Sequence, residues 1–188
     1  YQIYVYTTTT AFVPGFGNTT LSEIVDYYFI EILPAPLTYV PDANFEAYLE
    51  ANGMGNNIPN DNHVFTSAIN TVTFLDISYN NISDLTGIED FTALTDLYCH
   101  DNNLATLDVS QNTALIALQC ASNNLTSLDV SQNIALNVLQ CTSNNLTSLD
   151  VSQNTVLASL LCEHNLLTSL DVSQNTALEY LFCENNNI

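Results

Sequence analysis

The sequence predicts a solenoid of about six stacked coils with parallel β strands, preceded by a helical N-terminal cap and a β-prone N-terminal segment. Three observations predict it. The five cysteines share a 21-residue period, a Ser-Gln-Asn triplet recurs at the same interval, and apolar residues alternate with polar ones inside each period. The cysteines are Cys99, Cys120, Cys141, Cys162 and Cys183. A repeat this short cannot bury its own apolar face, so neighbouring repeats must stack on it.

Composition limits the function of the chain. The 188 residues suit one domain of ordinary size, and 47% of them are apolar, which is enough for a core. All the charge is negative, with 20 Asp and Glu, no Lys and no Arg, so the net charge is −20. Phosphate backbones and anionic membrane surfaces are both bound by cationic side chains. We therefore expect no nucleic-acid binding, and the apolar runs are too short for membrane insertion.

Each coil follows the pattern Leu-x-x-Leu-x-Cys-x-x-Asn-x-Leu-x-x-Leu-Asp-Val-Ser-x-Asn, which is clearest over residues 115–133. This pattern resembles the leucine-rich repeat. The first coil, over residues 72–91, resembles the 22-residue repeat of bacterial internalins. The later coils resemble the 21-residue Leu-Thr-Ser-Leu-Asp-Val-Ser repeats of secreted Bacteroidetes surface proteins. The resemblance covers residues 38–188 and implies a leucine-rich-repeat solenoid outside the cell.

Two segments of each coil predict short strands. Apolar residues alternate with polar ones at 118–120 and again at 128–131, which is the period of a strand with one buried face. We expect these strands on opposite walls of the coil, with their leucines meeting inside. Stacked coils would then pair their strands in parallel, about 4.8 Å apart.

One asparagine per coil follows the first of these strands. Its amide can satisfy backbone groups that a sharp bend leaves unpaired, so we interpret the row as structural. The row comprises Asn80, Asn102, Asn123, Asn144, Asn165 and Asn186.

The cysteines occupy an inward position that is usually Leu or Ile. Parallel side chains about 4.8 Å apart lie beyond the usual Cβ separation of a disulfide, and ligands in a straight row do not converge on zinc. We favour buried, reduced thiols over disulfides or a metal site.

An aspartate row points outward from the second wall, and Ser or Thr flanks each member. The row comprises Asp108, Asp129, Asp150 and Asp171. Like charges about 4.8 Å apart repel by on the order of 1 kcal/mol in water. Hydroxyl hydrogen bonds offset part of this repulsion, and bound Ca²⁺ or Na⁺ would offset the rest. A hydrogen-bonded row with loose counterions and a cation ladder that binds Ca²⁺ specifically both stay open.

The cysteine wall is the predicted binding surface. Its outward residues change at every coil, whereas the aspartate wall barely changes. Scaffold positions must repeat for coils to stack, and a recognition surface has no such requirement; drift without selection is the alternative. The candidate binding residues are Tyr98, His100, Gln119, Gln140, Leu161, Glu163, Tyr180 and Phe182. The last two, with Leu161, are expected to form an exposed apolar patch.

The sequence contains no catalytic motif that we can identify. His63, His100 and His164 are scattered, and neither a Gly-rich phosphate loop nor a zinc-protease or nucleophile-elbow motif occurs. We predict that the chain is not an enzyme.

Three parts are predicted along the chain: a β-prone, mixed N-terminal segment at 1–37, a cap with a short helix at 38–71, and the solenoid at 72–188. In the cap, Asp42 is the expected N-cap of a helix that Gly53 ends.

The first of these parts carries two further predictions. Residues 1–10 are rich in Tyr, Val, Ile and Thr and predict a strand. Residues 21–33 have apolar residues at helical spacing but many β-branched and aromatic ones, so helix and strand both stay open.

The predicted function is a secreted, non-catalytic module that mediates protein–protein or adhesive contacts at a bacterial cell surface. The alternative is a subunit of a head-to-tail extracellular filament. The chain stops at Ile188, midway through a coil, so we expect either further protein or another molecule to cover that end. The N-terminal strand of a neighbour is the expected partner in such a filament.

Overall fold

The computed structural model describes residues 35–188. The predicted strand at 1–10 and the predicted helix or strand at 21–33 lie outside the described residues. The three-part division of the chain stays a prediction.

A small unit precedes the repeats. Strand β1 (Leu37–Tyr39) pairs antiparallel with β2 (His63–Phe65), and helix α1 (Ala43–Ala51) lies between them in the sequence, with the short helix α2 (Thr66–Ile69) directly after β2. The predicted helix is present, with Asp42 as its N-cap and Gly53 at a left-handed φ of 74° just after its end. The antiparallel pair was not predicted.

Helix α1 packs against the first coil. Phe45 and Leu49 are fully buried, and the Phe45 ring stacks on Phe91 with 6.3 Å between ring centroids. The carboxylate of Asp42 joins the same two parts. One oxygen accepts the N–H groups of Asn44 and Phe45 at 2.9 and 3.0 Å, and the other accepts the N–H and hydroxyl of Ser83 at 2.8 Å each.

These hydrogen bonds set the acidity of Asp42. Burial on its own raises the pKa of this carboxyl, but the hydrogen bonds from Ser83, Phe45 and Asn44 together outweigh burial and lower the pKa below its usual value of 3.8. Asp42 is therefore a charged, fully bonded link between α1 and the repeats.

One parallel sheet of six strands runs along the repeats in sequence order. The strands are β3 (Phe74–Asp76), β4 (Asp96–Tyr98), β5 (Ala117–Gln119), β6 (Val138–Gln140), β7 (Ser159–Leu161) and β8 (Tyr180–Phe182). Their central leucines lie in one register, so Leu97 faces Leu118 and Leu118 faces Leu139. Six strands correspond to five complete turns and the strand of a sixth coil, which agrees with the predicted solenoid.

The second predicted strand of each coil is wrong. The aspartate wall contains no strand in the described residues, and a single parallel bridge between Asp108 and Asp129 is its whole sheet content. The cause is local turn formation. Asp129 accepts the N–H of Ser131 at 2.8 Å, and Asn133 then donates its N–H to Val130. An Asp that bonds to the residue two positions later turns the chain and ends the extended conformation.

The predicted asparagine row bonds each coil to the one before it. Asn144 shows the pattern: its Oδ1 accepts the N–H of Leu125 at 3.0 Å, and its amide donates to the carbonyls of Cys120 and Cys141 at 3.0 and 3.1 Å. The same bonds recur at Asn102, Asn123, Asn165 and Asn186. Asn80 differs, because its amide donates only to Ser78.

A second asparagine row lies under the aspartate wall and was missed by the sequence reasoning. It comprises Asn112, Asn133, Asn154 and Asn175, the last residue of each Ser-Gln-Asn triplet. All four side chains are buried, and each amide donates to two carbonyls of the preceding coil. The invariant triplet is thus a packing feature.

Candidate binding surface

The outward residues of the six strands form two rows, which we call the strand face. The first row contains Phe74, Asp96, Ala117, Val138, Ser159 and Tyr180, and the second contains Asp76, Tyr98, Gln119, Gln140, Leu161 and Phe182. Parallel pairing in register places each member directly beside its neighbour.

The structure brings most of the predicted binding residues together. Tyr98, Gln119, Gln140, Leu161 and Phe182 are successive members of the second row. Tyr180 lies in the first row. His100 and Glu163 follow β4 and β7 by two residues, beyond the strand ends.

The N-terminal end of the strand face is aromatic and acidic. The Phe74 ring lies edge-on to Tyr98 with 5.2 Å between centroids, and the Tyr79 ring lies edge-on to His100 at 5.1 Å. His100 Nδ1 is 2.9 Å from a carboxylate oxygen of Asp101. We call Phe74, Asp76, Tyr79, Tyr98, His100 and Asp101 the aromatic–acidic cluster.

Two of these aromatic residues were missed in the sequence. Phe74 is 53% exposed and Tyr79 is 72% exposed, although both are large and apolar in part. Tyr79 lies in the turn after β3 with a left-handed φ of 61°, which is uncommon for a bulky residue. At Tyr79 the signal was an aromatic residue at a position that later coils fill with polar ones, namely Asp101, Ser122, Ser143, His164 and Asn185. The position of Phe74 varies from Asp96 to Tyr180 and gave no such signal.

Carboxylates determine the electrostatics of the cluster. The negative charge of Asp101, and to a smaller extent that of Asp76, raises the pKa of the Tyr79 hydroxyl. Burial first, and then the charge of Asp76, raises the pKa of Tyr48. The charge of Asp76 therefore affects one tyrosine of the helical unit and one of the first coil.

The C-terminal end of the strand face is apolar. Leu161 pairs with Phe182, and Ser159 pairs with Tyr180, in the last two strands. Tyr180 is 58% exposed and Phe182 is 42% exposed. The predicted apolar patch is present at this end.

The aspartate row sits on turns. In each coil one carboxylate oxygen accepts the N–H of the serine two residues later, at 2.8–2.9 Å. Hydrogen bonds from the serine N–H and hydroxyl lower the pKa of Asp108, Asp129, Asp150 and Asp171. At Asp108 and Asp150, repulsion from neighbouring aspartates raises the pKa by a smaller amount. Across residues 35–188, no group of three or more His, Cys, Asp or Glu side chains is arranged to hold a metal ion. The cation ladder stays a prediction.

All five cysteines carry free thiols, and four of them are buried. Burial raises the pKa of Cys99 to about 12 and keeps the thiol protonated at neutral pH. Cys183 is partly exposed. The row fills the core beside the central leucines.

Stacked coils with one short parallel strand each, buried leucines and a row of asparagines at the bend define a leucine-rich-repeat protein, and its repeats are internalin-like. Among residues 35–188 there is no helix with the length and apolar character needed to cross a membrane.

Comparisons with known proteins agree on the fold. Internalin J of Listeria monocytogenes is 55% identical over 42 residues, which make up 22% of this chain and 5% of internalin J. The solved structure of internalin F from the same species has a TM-score of 0.68 at 21% identity, over 80% of this chain and 45% of that chain. Internalin C2 has a TM-score of 0.63 at 18% identity, over 82% of this chain and 72% of that chain. No protein-family profile matches the chain.

Proposed function

We propose that the chain is a non-enzymatic, extracellular module that binds a protein partner through its strand face at a bacterial cell surface. The observation that carries the proposal is the difference between the two walls. The strand face changes its chemistry along the solenoid, from aromatic and acidic through neutral to apolar. The aspartate wall repeats the same turn and the same hydrogen bonds in the four coils that carry Asp108, Asp129, Asp150 and Asp171.

This difference has a physical reason. Both asparagine rows bond each coil to the one before it, and each aspartate of the aspartate wall forms a turn within its own coil. These residues therefore cannot vary without loss of stability. Outward side chains of the strand face make no such bonds at Gln119 or Gln140 and are available to a partner. Large, exposed aromatic residues such as Tyr79 and Tyr180 are the side chains that interfaces favour.

The repeats and the composition bear on where the protein acts. Internalin-like repeats and a strongly acidic, Lys-free and Arg-free composition support an extracellular, adhesive role. The three histidines lie apart, His63 beside Asp61, His100 beside Asp101 and His164 beside Asn185, which supports a non-catalytic role. Filament assembly is a separate prediction that sedimentation of the full chain would test.

The test compares matched substitutions on the two walls. Gln119→Arg and Gln140→Arg place bulk and positive charge on the strand face, and Gln132→Arg and Gln153→Arg place the same change on the exposed aspartate wall. The full chain is first screened against a panel of purified extracellular proteins, and any ligand found is titrated against all four variants.

We expect the strand-face pair to weaken binding at least tenfold and the aspartate-wall pair to leave it within about twofold. Loss of binding only in the aspartate-wall variants would overturn the assignment of the surface. Circular dichroism of each variant checks that the fold is unchanged.

A further inference from the structure

We propose that the aromatic–acidic cluster is the part of the strand face that takes an arginine or lysine side chain from a basic segment of the partner. This inference rests on the proposed function, because it names the partner chemistry of the same surface. It places the contact with the partner's cationic side chain on the first two coils and not on the apolar C-terminal end.

Charge complementarity is the first step of the argument. The chain has no Lys or Arg, so none of its 20 acidic side chains has such a cation within the chain. In the cluster the one ion-pair contact is between His100 and Asp101. Asp76 accepts only the N–H of Ser78, at 3.1 Å. A cation from outside would therefore meet in Asp76 a carboxylate that has no cationic partner among the described residues.

The aromatic rings supply the second step. Arginine and lysine are attracted to the faces of exposed aromatic rings, and arginine also stacks on them. Phe74 and Tyr79 are both more than half exposed, and each is held edge-on to a neighbouring ring. Rings that are already oriented lose less side-chain entropy when a ligand binds.

The combination of aromatic rings and carboxylates in the two rows is confined to the first two strands of the sheet. In β5 and β6 the same two rows carry Ala117, Gln119, Val138 and Gln140, with neither a charge nor a ring. At β8 they carry Tyr180 and Phe182 without a carboxylate in either row. Within the two rows, rings and carboxylates occur together only at β3 and β4; the carboxylates of Glu179 and Glu184 flank β8 outside both rows.

The aspartate wall is a weaker candidate for the same cation. Its four carboxylates outnumber the two of the cluster, and each accepts a serine N–H just as Asp76 does. The residues that flank these four aspartates in the sequence include no aromatic ring. A polycation would interact with that wall through net charge alone, and salt would screen this interaction.

The experiment uses a defined probe on the full chain. A five-residue peptide with two arginines between glycines is titrated into ¹⁵N-labelled protein at about 0.15 M salt, where the Debye length is about 8 Å. A citrulline version of the peptide has nearly the same shape and no charge. We expect the arginine peptide to shift the resonances of residues 74–79 and 96–101, and the citrulline peptide to shift them much less.

Matched variants separate a site from net charge. Tyr79→Asn removes one ring and suits the left-handed backbone at this position, and Tyr180→Asn removes an exposed ring at the other end. Asp76→Asn and Asp150→Asn remove one charge each from the cluster and from the aspartate wall. We expect each cluster variant to weaken the arginine peptide about two- to fivefold, the effect of one exposed cation–π or ion-pair contact. Each control should leave its affinity unchanged.

Equal losses in Asp76→Asn and Asp150→Asn, or shifts spread evenly over both walls, would overturn the inference, because net charge would then explain the binding. The proposed function would survive that result if Gln119→Arg still abolished ligand binding. In another outcome, the arginine peptide shifts only cluster resonances while Gln119→Arg and Gln140→Arg leave the affinity for the protein ligand unchanged. That result would support the chemistry of the cluster and overturn the strand face as the partner surface.

Discussion

The asparagine row predicts a large and position-dependent loss of stability. In Asn144→Ala, the buried N–H of Leu125 loses its one partner, which is the Asn144 Oδ1 at 3.0 Å. The carbonyls of Cys120 and Cys141 each lose one of two donors, because Asn123 still donates to the first and Asn165 to the second.

The loss of these three hydrogen bonds sets the expected decrease in the free energy of unfolding of Asn144→Ala. An orphaned buried donor costs about 1–3 kcal/mol, and each lost hydrogen bond at a carbonyl that keeps another donor costs about 1 kcal/mol. The sum is about 3–5 kcal/mol, a large share of the roughly 5–15 kcal/mol that stabilises a typical domain. Asn80→Ala removes a residue of the same type at the same repeat position, but only one bond, to Ser78. Its expected cost is about 1 kcal/mol.

Urea unfolding followed by circular dichroism measures both variants and the parent chain under the same conditions. The reasoning requires Asn144→Ala to lose at least twice the free energy of unfolding that Asn80→Ala loses. Equal losses would refute it, because they would mean that bonds between coils contribute no more than a local turn bond.

Three further outcomes are expected. Alkylation of the native chain at pH 8 should label the partly exposed Cys183 first. After unfolding without reductant all five thiols should react, and fewer than five reactive thiols would establish a disulfide. Asp42→Asn should cost about 1–3 kcal/mol, because an amide donor replaces the oxygen that accepts from Ser83. Since the folded pKa of Asp42 is depressed, its contribution should be fully present well above the usual pKa of 3.8 and be lost as the pH falls through the lower folded pKa. The variant should therefore lose less stability than the parent chain over that range in acid titrations. Salt should raise the melting temperature, and Ca²⁺ and Mg²⁺ should act equally at matched ionic strength; a larger Ca²⁺ effect would demonstrate specific sites instead.

The repeat period was sufficient to predict the solenoid, its parallel register and the role of the first asparagine row. Ala117, Leu118 and Gln119 form a strand because a stacked neighbour pairs with them, and this strand begins one residue before the predicted 118–120. The segment around Asp129 has the same alternation, yet its own carboxylate bonds to Ser131 and turns the chain. Hydrophobic period alone does not distinguish the two outcomes.

The candidate site was predictable only in part. Because the strand register follows from the repeat period, the sequence was sufficient to predict which residues form the second row of the strand face. Tyr79 could not be placed in the same way, because its contact with His100 depends on a left-handed backbone and on the packing of two coils. The effect of the Asp76 charge on the pKa of Tyr48, in the helical unit, likewise depends on tertiary packing that no local pattern contains.

The asparagine bonds have a direction, and this has a consequence for synthesis. Each asparagine completes the coil that precedes it, so Leu125 waits for Asn144, which leaves the ribosome 19 residues later. During translation the most recently made coil therefore has a backbone N–H without its hydrogen-bond acceptor. The coil before it is the last one whose hydrogen bonds are complete. Folding should advance as a zipper that trails synthesis by one repeat, from the end that α1 packs against.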